Sequence, residues 1–283
     1  RLQTRTSNEF LHDAWALYDW LIRPVVPILE QGKIDTLVIA PDGPLRLIPF
    51  AALHDREHFL IEKYAVGTIP SATLTEPSPF EWGNAEILVA GLSQAVQELS
   101  PLPNVPKEMK AVKAIMGGKT MFQDEDYTLK NLTRAFREKA YTIVHLATHG
   151  LFGGGPEETF LLTYDDKLTM NRLEQLIGLG RFRETQIELL TLSACQTALG
   201  DELAALGLAG VAVKAGARST LATLWYVDDE ATSVAIREFY QQLRNGGVSK
   251  VKALQNAQKK LIGQLRYWHP AYWAPFLLIG SWL

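Results

Sequence analysis

The 283-residue chain has one cysteine, Cys195. A single thiol excludes an internal disulfide and fits a reducing, cytoplasmic setting. No apolar run approaches the roughly 18–20 residues that a membrane span needs. No positively charged segment leads into an apolar stretch at the start, so no signal peptide is read there. The chain begins at Arg1 rather than Met, which reads as a fragment or processed product. Excess charge is absent too: 28 Lys and Arg stand against 31 Asp and Glu, a net charge of −3. Nucleic acid and anionic membrane are therefore not expected as direct partners. Low-complexity tracts and repeats of 20–50 residues are missing. So are the G-x-S-x-G serine elbow and the G-x-G-x-x-G dinucleotide loop.

What is present is ordinary globular composition, 47% hydrophobic and 21% charged. Residues 8–30 have helical spacing through Phe10, Leu11, Ala14, Leu17, Tyr18 and Leu21, with Pro24 and Pro27 ending or kinking the helix. Thr36–Ala40 reads as a buried strand before the turn Pro41-Asp42-Gly43-Pro44, and residues 59–69 as another strand. Thr75–Asn84, with Pro77, Pro79 and Gly83, is the best internal boundary. It suggests an N-terminal subdomain over 1–80 and a catalytic domain over 81–283. Beyond it, strand-like runs at 87–90, 120–122, 142–147, 187–192, 220–224 and 276–279 alternate with helical patterns near 106–116, 128–139, 202–215, 229–244 and 250–265. That alternation predicts an α/β fold with a mainly parallel sheet covered on both faces. Reacting groups in such sheets sit beyond the C-terminal ends of the strands.

Two strand ends carry chemistry. One is Ile143-Val144-His145-Leu146-Ala147-Thr148-His149-Gly150, the other Leu189-Leu190-Thr191-Leu192-Ser193-Ala194-Cys195-Gln196-Thr197. If the strands are neighbours, His149 and Cys195 emerge on one rim. An imidazole there generates the thiolate that acyl transfer needs. The N–H groups of Gly150 and Cys195 suit a developing oxyanion. Taken alone, Cys195 reads equally well as a small core residue. His145 and His149 form H-x-x-x-H, but the zinc-protease helix needs Glu after the first His and this chain has Leu146 on a strand. His145 is expected to be a hydrogen-bonded core histidine, and no metal or cofactor is expected.

Gly117-Gly118-Lys119-Thr120 echoes a phosphate loop, but the Gly that the motif requires five residues before Gly118 is missing, with Lys113 in its place. A glycine pair before a strand is the better reading. Gly153-Gly154-Gly155-Pro156 reads as a surface loop or as a flap beside the site. Asp228 and Asp229 open a helix, which capping alone explains; alternatively one of them lines a pocket for a basic side chain. Glu98, after the strand at 87–90, is a second candidate for that pocket.

The pieces just quoted occur in order with others: Ala40-Pro41-Asp42-Gly43-Pro44-Leu45, Ile48-Pro49-Phe50-Ala51-Ala52-Leu53, Leu102-Pro103 followed by Glu108, Ala215-Gly216-Ala217-Arg218-Ser219, Leu224-Trp225-Tyr226-Val227-Asp228-Asp229 and Trp273-Ala274-Pro275-Phe276. Over residues 10–283 the chain resembles the CHAT family, caspase-like peptidase domains often found after tetratricopeptide repeats and similar to caspases, metacaspases and separase. The resemblance implies a caspase-like three-layer sandwich. It also implies a pseudo-protease-like N-terminal part and a Cys–His dyad, with Cys195 as nucleophile and His149 as general acid/base. The caspase signature Q-A-C-x-G is not met, since Ser193 and Thr197 flank the cysteine, and that argues against aspartate specificity. Trp225–Asp229 is similar to a separase segment ending in acidic residues, which favours a basic P1 residue. Gln196 and Tyr226 stand where family members often carry Glu and Pro.

The expected function is a cysteine endopeptidase acting on a protein or peptide substrate, gated by loops near 151–158 and 196–202 or by a regulatory partner such as tetratricopeptide repeats. Two other classes stay open: a catalytically silent scaffold that binds a partner protein, and an unrelated acyl-transfer enzyme using the same Cys and His.

Overall fold

The structure is a computed structural model and describes residues 1–73, 75–77, 79–80, 82–96, 99–151, 159–181, 186–193, 216–225 and 227–283. Eight strands form one sheet: β1 (Thr36–Ile39), β2 (Ala65–Thr68), β3 (Ile87–Gly91), β4 (Thr120–Gln123), β5 (Ile143–Ala147), β9 (Leu189–Ser193), β10 (Ser219–Thr223) and β11 (Phe276–Gly280). Their order across the sheet is β1-β2-β11-β10-β9-β5-β3-β4. The five strands from β4 to β10 run parallel, and β11 is antiparallel to β10. β11, β2 and β1 then run parallel to one another. Three short strands, β6 (Gly150–Leu151), β7 (Phe160–Leu162) and β8 (Lys167–Thr169), make a separate antiparallel sheet.

Every residue of β3, β5 and β9 is buried, as an apolar central strand requires. Alternate residues serve two cores. Ile87, Val89, Ile143, Ala147 and Leu189 face one cluster, which holds helices α4 (Val105–Met116), α7 (Asp229–Asn245) and α8 (Lys250–Ile262). Leu88, Ala90, Val144, Leu146, Leu190 and Leu192 face the other, with α5 (Leu129–Glu138) and α6 (Met170–Arg181). The result is the expected mostly parallel three-layer sandwich.

Local chemistry sets the helix ends. In α4, Val105, Met109, Val112 and Met116 form the buried stripe. Gly117, at φ +74°, caps it in the left-handed region that glycine enters freely. The pair Gly117-Gly118 thus joins helix to strand, as read from the sequence. The N-terminal helix is broken into α1 (Phe10–Leu21), a 3₁₀ turn at Arg23–Val25 and α2 (Val26–Gln31), with Pro24 and Pro27 each near the start of the new segment.

Two expectations fail. β1, expected as a buried strand, is half-buried along its length because it lies at the edge of the sheet, with a partner on one side only among the described residues. Residues 59–69 are not a single strand: a short helix, α3 (Leu60–Lys63), precedes β2. The Glu62 carboxylate accepts the Phe59 N–H at 2.7 Å, and Leu53 accepts the Leu60 N–H at 2.7 Å, so the turn is bonded locally. A short apolar run carries no period that separates the two conformations. The helix expected at 202–215 lies outside the described residues. β6–β8 and α6 were not anticipated. Among the described residues, no helix is long and apolar enough to cross a membrane.

Candidate active site at the strand ends

β5 and β9 are direct neighbours, in parallel register from Ile143↔Leu189 to Ala147↔Ser193. The Thr148 N–H continues the pairing by donating to the Ser193 carbonyl at 3.1 Å. His149, 7% exposed, stands two residues beyond β5. Its Nε2 lies 2.9 Å from the Ser100 carbonyl oxygen. A carbonyl only accepts, so Nε2 carries the proton and Nδ1 keeps the lone pair in the neutral ring.

The His149 backbone is fixed as well. Its carbonyl accepts the Leu162 N–H at 2.9 Å, and the Thr148 hydroxyl donates to the Leu162 carbonyl at 2.8 Å. Gly150 pairs with Leu161 across β6 and β7. Because His149 and Leu162 form the hydrogen-bonded pair, the Gly150 N–H points away from β7.

The loop bearing Ser100 is held at both ends by carboxylates. At its start, the Leu92 N–H donates to the Ala147 carbonyl at 3.0 Å. Asp124 then accepts from the Ser93 N–H at 2.6 Å, the Ser93 hydroxyl at 2.7 Å and the Gln94 N–H at 3.1 Å. Burial pushes the Asp124 pKa up, but the bonds from Gln123, Ser93 and Gln94 outweigh it and leave it lowered. At the far end, Asp229 Oδ2 accepts from Asn104 through both its backbone N–H (2.8 Å) and its Nδ2 (2.9 Å). Burial dominates at Asp229, and with the Glu108 and Asp228 charges it raises the pKa despite those two bonds. Close packing under the loop needs Gly91: a Cβ there would lie 2.5 Å from the Ala147 carbonyl oxygen.

Residues 12–281 match the family model of the CHAT domain. The chain belongs to the CHAT family. Among curated proteins, this CHAT domain is 25% identical to Tetratricopeptide repeat protein 28 of Mus musculus and of Homo sapiens, over 94% of the chain in each case. It spans 13% of the length of either relative. Among solved structures it is similar to the Arg specific cysteine proteinase gingipain R, with a TM-score of 0.57 and 10% identity over 98% of this chain and 67% of that one. The complex of Porphyromonas gingivalis RgpB pro- and mature domains matches with a TM-score of 0.56 and 10% identity, over 98% and 69% of the two chains. These likenesses show that the CHAT domain has the caspase-like fold of those cysteine proteinases.

Of the residues singled out from sequence, His149, Gly150, Asp228 and Asp229 stand at the C-terminal rim of the sheet. Cys195 and Glu98 lie outside the described residues, as do the loops at 152–158 and 196–202. Asp228 caps α7, its Oδ1 accepting the Ala231 N–H at 3.1 Å. Its Oδ2 lies 4.0 Å from Arg5 Nη1, and the Arg5 guanidinium rests 4.6 Å from the centre of the Tyr272 ring. His145 is a bonded core histidine, as expected, with Nε2 3.0 Å from Glu108 Oε1. Sequence reasoning missed Ser100 and Asp124. The Leu102-Pro103 pair marks the loop that holds Ser100, whereas nothing in the sequence signals Asp124.

Proposed function

We propose that this CHAT domain is a cysteine endopeptidase in which Cys195 and His149 form the catalytic dyad. The observation that carries the reading is the register at the rim. Ala147 pairs with Ser193, His149 follows Ala147 by two residues, and Cys195 follows Ser193 by two. The His149 tautomer supports it: with Nε2–H engaged by Ser100, Nδ1 is the nitrogen left to take a proton.

In the proposed reaction the Cys195 thiol gives its proton to His149 Nδ1, and the sulfur forms a bond to the peptide carbonyl carbon. The carbonyl electron pair moves to oxygen, where the N–H groups of Gly150 and Cys195 receive the negative charge. As the tetrahedral species collapses, the C–N bond breaks and the leaving amine takes the proton from Nδ1. Water then gives a proton to Nδ1 and attacks the thioester, and the thiolate departs and is reprotonated.

For specificity the reading is a basic P1 residue received by Asp228 or Asp229, with Glu98 as a further candidate. Asp228 supports this directly, since Arg5 already brings a guanidinium to it over an aromatic ring. The similar gingipain R is described as Arg specific. The relatives' tetratricopeptide repeats support a regulatory repeat partner.

A fluorogenic peptide panel varying only P1, run on wild type and Cys195→Ala, tests the reading. Cleavage after Arg or Lys that disappears in Cys195→Ala is expected. Cleavage that survives the substitution overturns the dyad, and a preference for Asp or apolar P1 overturns the acidic pocket. A folded wild-type chain that cleaves nothing, alone or with repeats attached, leaves the scaffold reading standing instead.

A further inference from the structure

The proposed reaction uses His149 and leaves its neighbour in the H-x-x-x-H motif without a part. His145 has no solvent exposure and sits on the face of β5 turned toward α4 and α7. Its Nε2 is 3.0 Å from Glu108 Oε1 on α4, and its Nδ1 is 3.4 Å from the Tyr240 hydroxyl on α7. Tyr240 in turn lies 2.8 Å from the Thr191 hydroxyl on β9. Four polar side chains, each 0–1% exposed, therefore cross an otherwise apolar layer in one connected line. Burying such groups costs free energy even when they are bonded, and apolar residues of similar volume pack as stably. What the apolar version lacks is a fixed register between the elements.

The register at stake is that of His149. Ser100 lies eight residues before Glu108, and His149 lies four after His145. The Glu108–His145 bond thus ties together the two segments whose ends meet in the bond between His149 Nε2–H and the Ser100 carbonyl. We propose that His145 is a positioning residue: through Nε2 it locks β5 to α4 and so holds His149 on Ser100, with the lone pair kept on Nδ1. The catalytic consequence rests on the proposed dyad; the placement of His149 does not.

The test uses the full chain labelled with ¹⁵N in its histidine rings. The His149 Nε2 proton, identified by its loss in His149→Gln, is expected as a slowly exchanging signal. In His145→Gln the amide nitrogen stands where Nε2 was, so the His149 signal persists. In His145→Asn only the Nδ1 position is mimicked, so the signal exchanges at least about tenfold faster or vanishes. Removing one partner from a buried pair risks unfolding. The apolar double variant His145→Phe/Glu108→Met therefore serves as the folded control, checked by circular dichroism, and it is expected to lose the signal while keeping the fold. A His149 signal unchanged in the folded double variant, or in His145→Asn, overturns the proposal. Cleavage assays on the same proteins separate the two ideas. A kcat about 10²-fold lower at constant KM in the double variant joins positioning to catalysis. A wild type that cleaves nothing, with the proton signals following the expected order, overturns the dyad and leaves the positioning intact.

Discussion

Asp124 shows how one side chain can hold a site it does not enter. Its φ of 50° lies in the left-handed region that non-glycine residues seldom adopt, though Asp and Asn tolerate it best. The conformation aims the carboxylate at Ser93 and Gln94, at the start of the loop that presents the Ser100 carbonyl. Asp124→Asn keeps the backbone preference and one acceptor oxygen, and should cost about 1 kcal/mol. Asp124→Ala adds strain to the loss of every bond, and should cost about 2–3 kcal/mol. Urea unfolding of both variants checks the order. The folded-state pKa is lowered, so the ionised carboxylate contributes its full stability above the unfolded value of about 4 and loses it as the pH falls through the lowered one. The gap between wild type and Asp124→Asn should therefore narrow in acid and stay constant above about pH 5; a gap that widens in acid contradicts the assignment.

At the scale of elements, legibility followed burial. β3, β5 and β9 are sealed on both faces, so their sequences are mostly apolar, broken by His145 in β5 and by Thr191 and Ser193 in β9, and those runs were visible with their ends near the observed ones. The His149-Gly150 pair was visible because reactive residue types ended an apolar run. β6, β7 and β8 are two or three residues long, too short for any period to register. Ser100 acts through a backbone carbonyl, which every residue has, so its role came only with the fold. The buried pair between Glu188, just before β9, and Lys250, at the start of α8, was equally invisible. Lys250 Nζ lies 2.6 Å from Glu188 Oε1, with no exposure of the lysine side chain, and burial lowers its pKa against the pull of Glu188. Lys250→Met strands a buried carboxylate whose other cation, Arg218, is 3.7 Å away and partly in solvent. It should cost about 3–5 kcal/mol, and Lys250→Met/Glu188→Met should recover most of that. Equal losses in the single and double variants would place the effect in packing rather than in the pair.

For the whole molecule the question is how residues 1–80 relate to the rest. A boundary near residue 80 is proposed from the proline-rich stretch, and the packing across it decides how the two parts behave. β2 joins β11 at Thr68↔Ile279, so the N-terminal strands extend the same sheet. Phe10 stands 4.8 Å from the His269 ring, and Phe59 stands 4.9 Å from Trp273, which is fully buried. Gln255 on α8 donates 2.7 Å to the Ile61 carbonyl. Phe10, Phe59, Ile61 and Trp273 belong to one continuous core with α4, α7 and α8. Removing residues 1–80 would bare Trp273 and leave β11 as an unpaired apolar edge, the kind of surface that aggregates. The intact chain should therefore unfold in one cooperative transition, with fluorescence and far-ultraviolet circular dichroism coinciding. The 81–283 fragment alone should be insoluble or molten, and adding 1–80 in trans should restore a cooperative transition. A soluble 81–283 fragment that unfolds cooperatively by itself would show instead that the N-terminal part is an appendage, and that the sheet edge at β11 is stable without it.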